Sequence, residues 1–271
     1  MALVIDACAA QHQGDRKEQQ DRVLIVPHTN LRGVALAVVA DGMGGHTGGA
    51  LAADQMVHTA RQNLTQFSPE EETPEKMLRS CLHEAHMLIK ASRLMNEMNP
   101  HSTVVMMLIQ PGRMSWLHCG DSRLYHFRDK ALIGRTKDHS YVEQLLSRGR
   151  ITPEQALVHP SRNVLLTSVG GNDEPLFDYA ETTDLQSGDA YVLCSDGLWA
   201  YFSDEELGGI VASHTAREAC EKLVEQARLR AGGHGDNLSI AIVKLKEKEV
   251  AAKPKPFPGF AGRPQQKVGS V

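Results

Sequence analysis

Four aspartates of this 271-residue chain sit in similar local settings. Asp41 closes the apolar run 34–40 and precedes Gly42. Asp196 closes the run 190–195 and precedes Gly197. Asp121 follows Gly120 directly after the run 114–119, and Asp236 precedes Asn237 at the start of the last apolar run, 238–245. A lone aspartate beside glycine at a strand end is ordinarily a turn residue. Repetition suggests another reading, because several strand ends of one sheet can converge on one cleft. Two carboxylates 4 Å apart repel by about 4 kcal/mol at an effective dielectric near 20, so a convergent set calls for a compensating cation. Hard divalent ions such as Mg²⁺ or Mn²⁺ take such oxygen ligands together with water.

Two further features fit phosphate chemistry. The loop 41–49 carries Gly42, Gly44, Gly45, Gly48 and Gly49, and glycine lets backbone pass close to an ion or phosphate. Its spacing matches neither a Walker A loop nor a dinucleotide fingerprint. Arg16 stands in Gly14-Asp15-Arg16-Lys17-Glu18-Gln19-Gln20-Asp21, close to the acid Asp21 at a strand start. A guanidinium offers paired donors to a phosphate.

The elements that must position these residues follow from period. Strands are expected over 3–8, 21–26 and 34–40, the last a continuous valine-rich run typical of a strand buried on both faces. A helix carries Met56, Ala60 and Leu64. A clearer one carries Met77, Cys81, Ala85 and Leu88 on one stripe, with Pro74 in its first turn. Runs 103–109 and 114–119 flank a hairpin turn, and 124–127 and 131–133 flank another. A short helix over 140–147 is stopped by Gly149. Strands are then expected over 163–169, 177–181, 190–195 and 238–245, with helices over 203–213 and 216–230. Antiparallel strands with one early and one late helix pair predict α+β layers rather than a doubly wound sheet. Lys253 onward is rich in proline, glycine and basic residues, a composition that cannot bury a core. The division expected is therefore a folded unit over 1–248 and a disordered tail over 249–271, the latter a linker remnant or a docking segment for an acidic partner.

Composition excludes some classes. A net charge of −4 argues against nucleic acid and anionic membrane surfaces. No apolar run approaches the roughly 20 residues that span a bilayer, and the N-terminus does not read as a signal peptide. Cys8, Cys81, Cys119, Cys194 and Cys220 lack metal-ligand spacing and read as small hydrophobes of a reducing compartment. The expectation is a soluble cytoplasmic protein.

The segments Arg16-Lys17-Glu18-Gln19-Gln20-Asp21, Ala40-Asp41-Gly42-Met43-Gly44-Gly45, Gly120-Asp121-Ser122-Arg123, Ser195-Asp196-Gly197-Leu198-Trp199 and Gly235-Asp236-Asn237 occur in the order found in metal-dependent protein phosphatases of the type 2C serine/threonine class. The chain resembles that family, in its bacterial form, from about residue 6 to 244. The resemblance implies a four-layer α-β-β-α sandwich, two antiparallel sheets flanked by helix pairs. It implies that Asp41 bridges two Mn²⁺ or Mg²⁺ ions, that Gly42 lends a backbone carbonyl, and that Asp196 and Asp236 complete the set. Asp121 would hold a third, weaker ion. Asp21 would orient the attacking water, Arg16 would grip the phosphate, and residues 140–152 would form a flap. The implied substrates are phosphoserine and phosphothreonine proteins, with a cognate kinase opposing. Two departures stand out: Gln20 where relatives often carry Glu, and Met43 where some carry a histidine as general acid; His46 is nearby and is given no role. They keep a second reading open, a non-catalytic phosphoprotein-binding regulator of the same fold. The residues alone also allow a hydrolase of small phosphoesters.

Overall fold

In the computed structural model, residues 3–44, 48–95 and 98–247 are described. The expected tail over 249–271, and Gly45 and His46 of the glycine loop, lie outside them. In chain order the elements are β1 (Leu3–His12), β2 (Arg22–Pro27), β3 (Ala35–Ala40), β4 (Gly42–Met43), α1 (Gly48–Gln66), α2 (Pro74–Met95) and β5 (His101–Ser102). There follow β6 (Val104–Gln110), β7 (Arg113–Cys119), β8 (Arg123–Arg128), β9 (Ala131–Arg135), α3 (Tyr141–Ser147) and α4 (Pro153–Leu157). The chain continues with β10 (Asp178–Thr182), β11 (Asp189–Cys194), α5 (Asp196–Trp199), α6 (Asp204–Ser213), α7 (Ala216–Ala231) and β12 (Leu238–Glu247).

Two five-stranded antiparallel sheets, ordered β1-β12-β11-β8-β9 and β10-β7-β6-β3-β2, form the middle layers. Three apolar cores separate four layers. Leu36, Val38 and Ala40 of β3 face α1 and α2, whereas Ala37 and Val39 face the other sheet, meeting Tyr191, Leu193, Ala241 and Val243. The continuous apolar run of β3 thus serves two cores at once, with alternate residues on each face. A third core joins the outer face of β11 and β12 to α5, α6 and α7. The predicted sandwich is present, with α1/α2 on one flank and α6/α7 on the other.

Local chemistry sets the helix limits. Ser203 accepts from the Glu206 amide at the start of α6, and Thr215 and Glu218 form a reciprocal capping box on α7. Gly232 closes α7 in the left-handed conformation. One expected strand is corrected. Residues 163–169 do not form a strand; their ladder-type pairing is limited to isolated bridges, Ser140 to Leu165 and Ser102 to Val169. Its apolar residues are split between core and surface: Val169 is buried against α1 and α2, whereas Val164 and Leu166 are exposed. The short α4 and α5 were not foreseen, because one helical turn leaves almost no periodic signal. Among the described residues no helix is long and apolar enough to cross a membrane.

Candidate metal centre

Asp41 leaves the end of β3 at the sandwich rim. Its amide donates to Thr103 Oγ1 at 3.2 Å, and its carbonyl accepts from the Thr103 amide at 2.9 Å. The next residue, Gly42, must be glycine: a Cβ there would lie 2.1 Å from the Gly49 carbonyl oxygen and 2.6 Å from that of Gln20. The glycine loop therefore packs backbone against backbone directly beside Asp41.

Asp196 opens α5. Its predecessor Ser195 stands at the N-cap position without capping the helix. Instead its hydroxyl donates to Asp21 Oδ2 at 2.7 Å and accepts from the Ser239 amide at 2.9 Å. Asp21 is only 1% exposed, and its Oδ1 is buried without a partner. Asp236 is held from behind by its neighbour Asn237, whose amide donates to Asp236 Oδ1 at 2.8 Å. The Asn237 side chain also accepts from the Gln20 amide at 2.7 Å and donates to the carbonyls of Gln13 and Glu18 at 2.7 and 2.9 Å. One side chain thereby fixes the whole 13–20 loop, Arg16 included, onto the start of β12. Asp121 follows β7, and its carbonyl accepts from the Trp199 indole at 3.0 Å. The same indole lies under Arg123, which forks onto Asp138 at 2.7 and 2.8 Å.

These five carboxylates converge. Burial first, then the charges of Asp21, Asp196, Asp121 and Asp236, push the Asp41 pKa well above the usual range. Burial, then Asp196 and Asp138, does the same for Asp121. Asp21 is raised to about 7 and Asp196 to about 6, in each case chiefly by burial. Asp41 and Asp196 are close enough for one to hydrogen-bond the other. Arg16 forms an ion pair with Asp236. Arg16, Asp41, Gly42, Asp121, Asp196 and Asp236 all line one cleft of about 630 Å³; Asp21 lies just behind it.

The expected site residues Arg16, Asp21, Asp41, Gly42, Asp121, Asp196 and Asp236 are thus in or against one site. Arg16 has a carboxylate partner that sequence reasoning did not foresee. It also overlooked Ser195 and the bracing role of Asn237; both flank predicted ligands, and that adjacency was the available signal. Asn163 and Leu165 also line the cleft, and nothing in their local sequence marks them. The donor chemistry fits hard divalent ions: an all-oxygen carboxylate set, mutually repelling, with an unpartnered buried oxygen on Asp21.

A family model described as Protein phosphatase 2C matches residues 8–231. The chain is 35% identical over 219 residues to the serine/threonine protein phosphatase PstP of Mycobacterium tuberculosis, covering 79% of this chain and 41% of that protein. It thus spans less than half the length of that relative. It is 31% identical over 238 residues to the protein phosphatase PhpP of Streptococcus pneumoniae, covering 87% of this chain and 96% of that one. A crystal structure of the PstP catalytic domain in complex with two manganese ions superposes with a TM-score of 0.75 at 30% identity, over 91% of this chain and all of that one.

Proposed function

The chain belongs to the protein phosphatase 2C family, and from that premise we propose that it is a metal-dependent serine/threonine protein phosphatase. The observation that carries this reading is the convergence of Asp41, Asp121, Asp196 and Asp236 on one cleft, with Asp21 buried behind it and Arg16 at its edge. Asp41, the Gly42 carbonyl, Asp196 and Asp236 would hold two Mn²⁺ or Mg²⁺ ions, and Asp121 a third. Bound there, such ions supply Lewis acidity toward phosphoryl oxygens and make a water nucleophilic at neutral pH.

The chain's own residues supply the rest. Asp21 is anchored through Oδ2 by Ser195 and keeps Oδ1 unpartnered, so it can accept a proton from the attacking water and fix its direction. Arg16 would exchange the Asp236 carboxylate for a substrate phosphate, remaining neutralised in both states. Met43 carries no titratable proton. The leaving seryl or threonyl oxygen would take its proton from water in the cleft. Residues 1–248 would be the catalytic unit, a division supported by the family match and by β12 ending at Glu247. The substrates would be cytoplasmic phosphoproteins made by a serine/threonine kinase that this protein opposes.

The purified chain with Mn²⁺ should release phosphate from a phosphothreonine peptide and from p-nitrophenyl phosphate, and a chelator should abolish both. Mn²⁺ binding with no turnover of either would instead favour the regulator. Preference for small phosphoesters over the peptide would favour the third reading.

A further inference from the structure

A second cluster of ligating side chains lies where β9 and β10 border the open edge of the sandwich. Asp178 of β10 pairs directly opposite His118 of β7. His139, between β9 and α3, stacks its ring on His118 with centroids 4.6 Å apart. One ligand atom from each of the three lies within 4.8 Å of the others. Beside them is a cavity of about 430 Å³, also lined by Trp116, Lys137 and Tyr179.

The hydrogen bonds determine which nitrogens are available. His118 Nε2 is 2.8 Å from the Lys137 carbonyl, which can only accept, so Nε2 carries the proton. The lone pair is then on Nδ1, which is buried without a partner on a residue only 2% exposed. A histidine with one nitrogen fixed to a carbonyl and the other unengaged is set up as a metal ligand. His139 Nδ1 accepts from the Gly120 amide at 3.2 Å, and its Nε2 faces Asp178 Oδ2 at 3.3 Å. The His139 amide donates to the Gly120 carbonyl at 2.9 Å. Gly120 immediately precedes Asp121.

We propose that His118, His139 and Asp178 form a second metal site, for an ion of the Zn²⁺ class, and that filling it loosens the hold of His139 on Gly120. Two imidazoles and one carboxylate suit Zn²⁺ far better than Mg²⁺, and leave a fourth position open toward the cavity. Zinc bonds of about 2.0–2.2 Å require the three side chains to close in by about 1 Å, and the stacked imidazoles, 14° apart, require the His139 ring to turn so that both in-plane lone pairs meet at the ion. Asp178 has a side chain 66% exposed and can swing to meet the ion. Ligation through His139 Nε2 needs its lone pair, so the proton on Nε2 passes through solvent to Nδ1. The imidazole stays neutral and no proton is lost overall. Nδ1–H then faces the Gly120 N–H, two donors that cannot bond to each other, so that hydrogen bond is lost and the backbone bond from the His139 amide to the Gly120 carbonyl alone remains. The ion binding and the lost hydrogen bond stand on these residues alone and do not depend on the phosphatase reading.

The test titrates the Mg²⁺-saturated full chain with Zn²⁺ against a chromophoric chelator. Wild type and Asp196→Asn should each hold one Zn²⁺ with similar affinity, and Asp178→Asn should bind it at least tenfold more weakly. His118→Gln should do the same, but His118 is buried, so the exposed Asp178 variant is the deciding one. In the Mg²⁺-saturated wild type, the Gly120 amide resonance should shift as the Zn²⁺ site fills. Absence of bound Zn²⁺, loss of binding in Asp196→Asn, or equal affinity in Asp178→Asn would overturn the site. A Gly120 resonance that stays put while Zn²⁺ binds would overturn the coupling.

Discussion

The buried Asp41 carboxylate feels the charges of four other carboxylates in and behind the cleft, so its negative charge is tolerable chiefly when a cation shares the site. Replacing it with an amide of the same shape removes charge and metal affinity without opening a cavity. Asp41→Asn, and likewise Asp196→Asn, should therefore lower Mn²⁺-dependent kcat by at least ~100-fold, the scale on which essential charge-stabilising groups act. Their metal-free unfolding midpoints should be unchanged or higher, because each removes repulsion. Phosphate release from a phosphopeptide and a thermal melt in chelator check the two halves. A variant that kept wild-type turnover would remove that aspartate from the catalytic set.

At the scale of elements, the loop 13–20 has no regular structure along most of its length and depends on β12 for its shape. Asn237, 6% exposed, is the link. Asn237→Ala would leave the Gln20 amide and the Gln13 and Glu18 carbonyls without that partner. Uncompensated polar groups of this kind cost about 1–3 kcal/mol. The variant should lose about 2 kcal/mol in a urea melt. It should also raise KM more than it lowers kcat, since Arg16 rides on the freed loop. A KM at the wild-type value would mean that Arg16 is positioned independently of Asn237.

The molecule as a whole carries the site as a pH-dependent load. The folded Asp21 holds its proton up to about 7 and Asp196 up to about 6, and burial with neighbouring charge raises Asp41 and Asp121 well above the 3.8 of an ordinary aspartate. The folded state thus binds protons that the unfolded chain has released. The stability they contribute is complete below about pH 4 and is lost as pH rises through the folded values. Buried histidines act in the opposite sense: burial lowers His118 and His126 below 6.5, and their effect is finished near that pH. In chelator, the melting temperature should therefore fall as pH rises from 6.5 through about 7, where Asp21 gives up its proton. Saturating Mn²⁺ at about 100 times its Kd should add roughly 2.7 kcal/mol and restore the loss at the upper end. A metal-free melting temperature that rose over this range would contradict the carboxylate load.

The sequence by itself determined which residues could be ligands and most of the elements that carry them. Apolar alternation and continuous runs reveal strands, and a 3.6-residue stripe reveals α1, α2 and α7, because those signals depend only on near neighbours. The segment 163–169 looks like a strand for the same reason, and only the tertiary structure shows that its pairing stops at two isolated bridges. The five aspartates could be named, but not joined, from the chain alone. Asp21 and Ser195 touch across 174 positions, and contacts of that range follow from strand order and register, which no local pattern specifies. The donor set was thus legible as residue types at strand ends. Only the tertiary structure decided that those ends meet in one cleft, that Arg16 pairs with Asp236, and that His118, His139 and Asp178 gather at the sandwich edge.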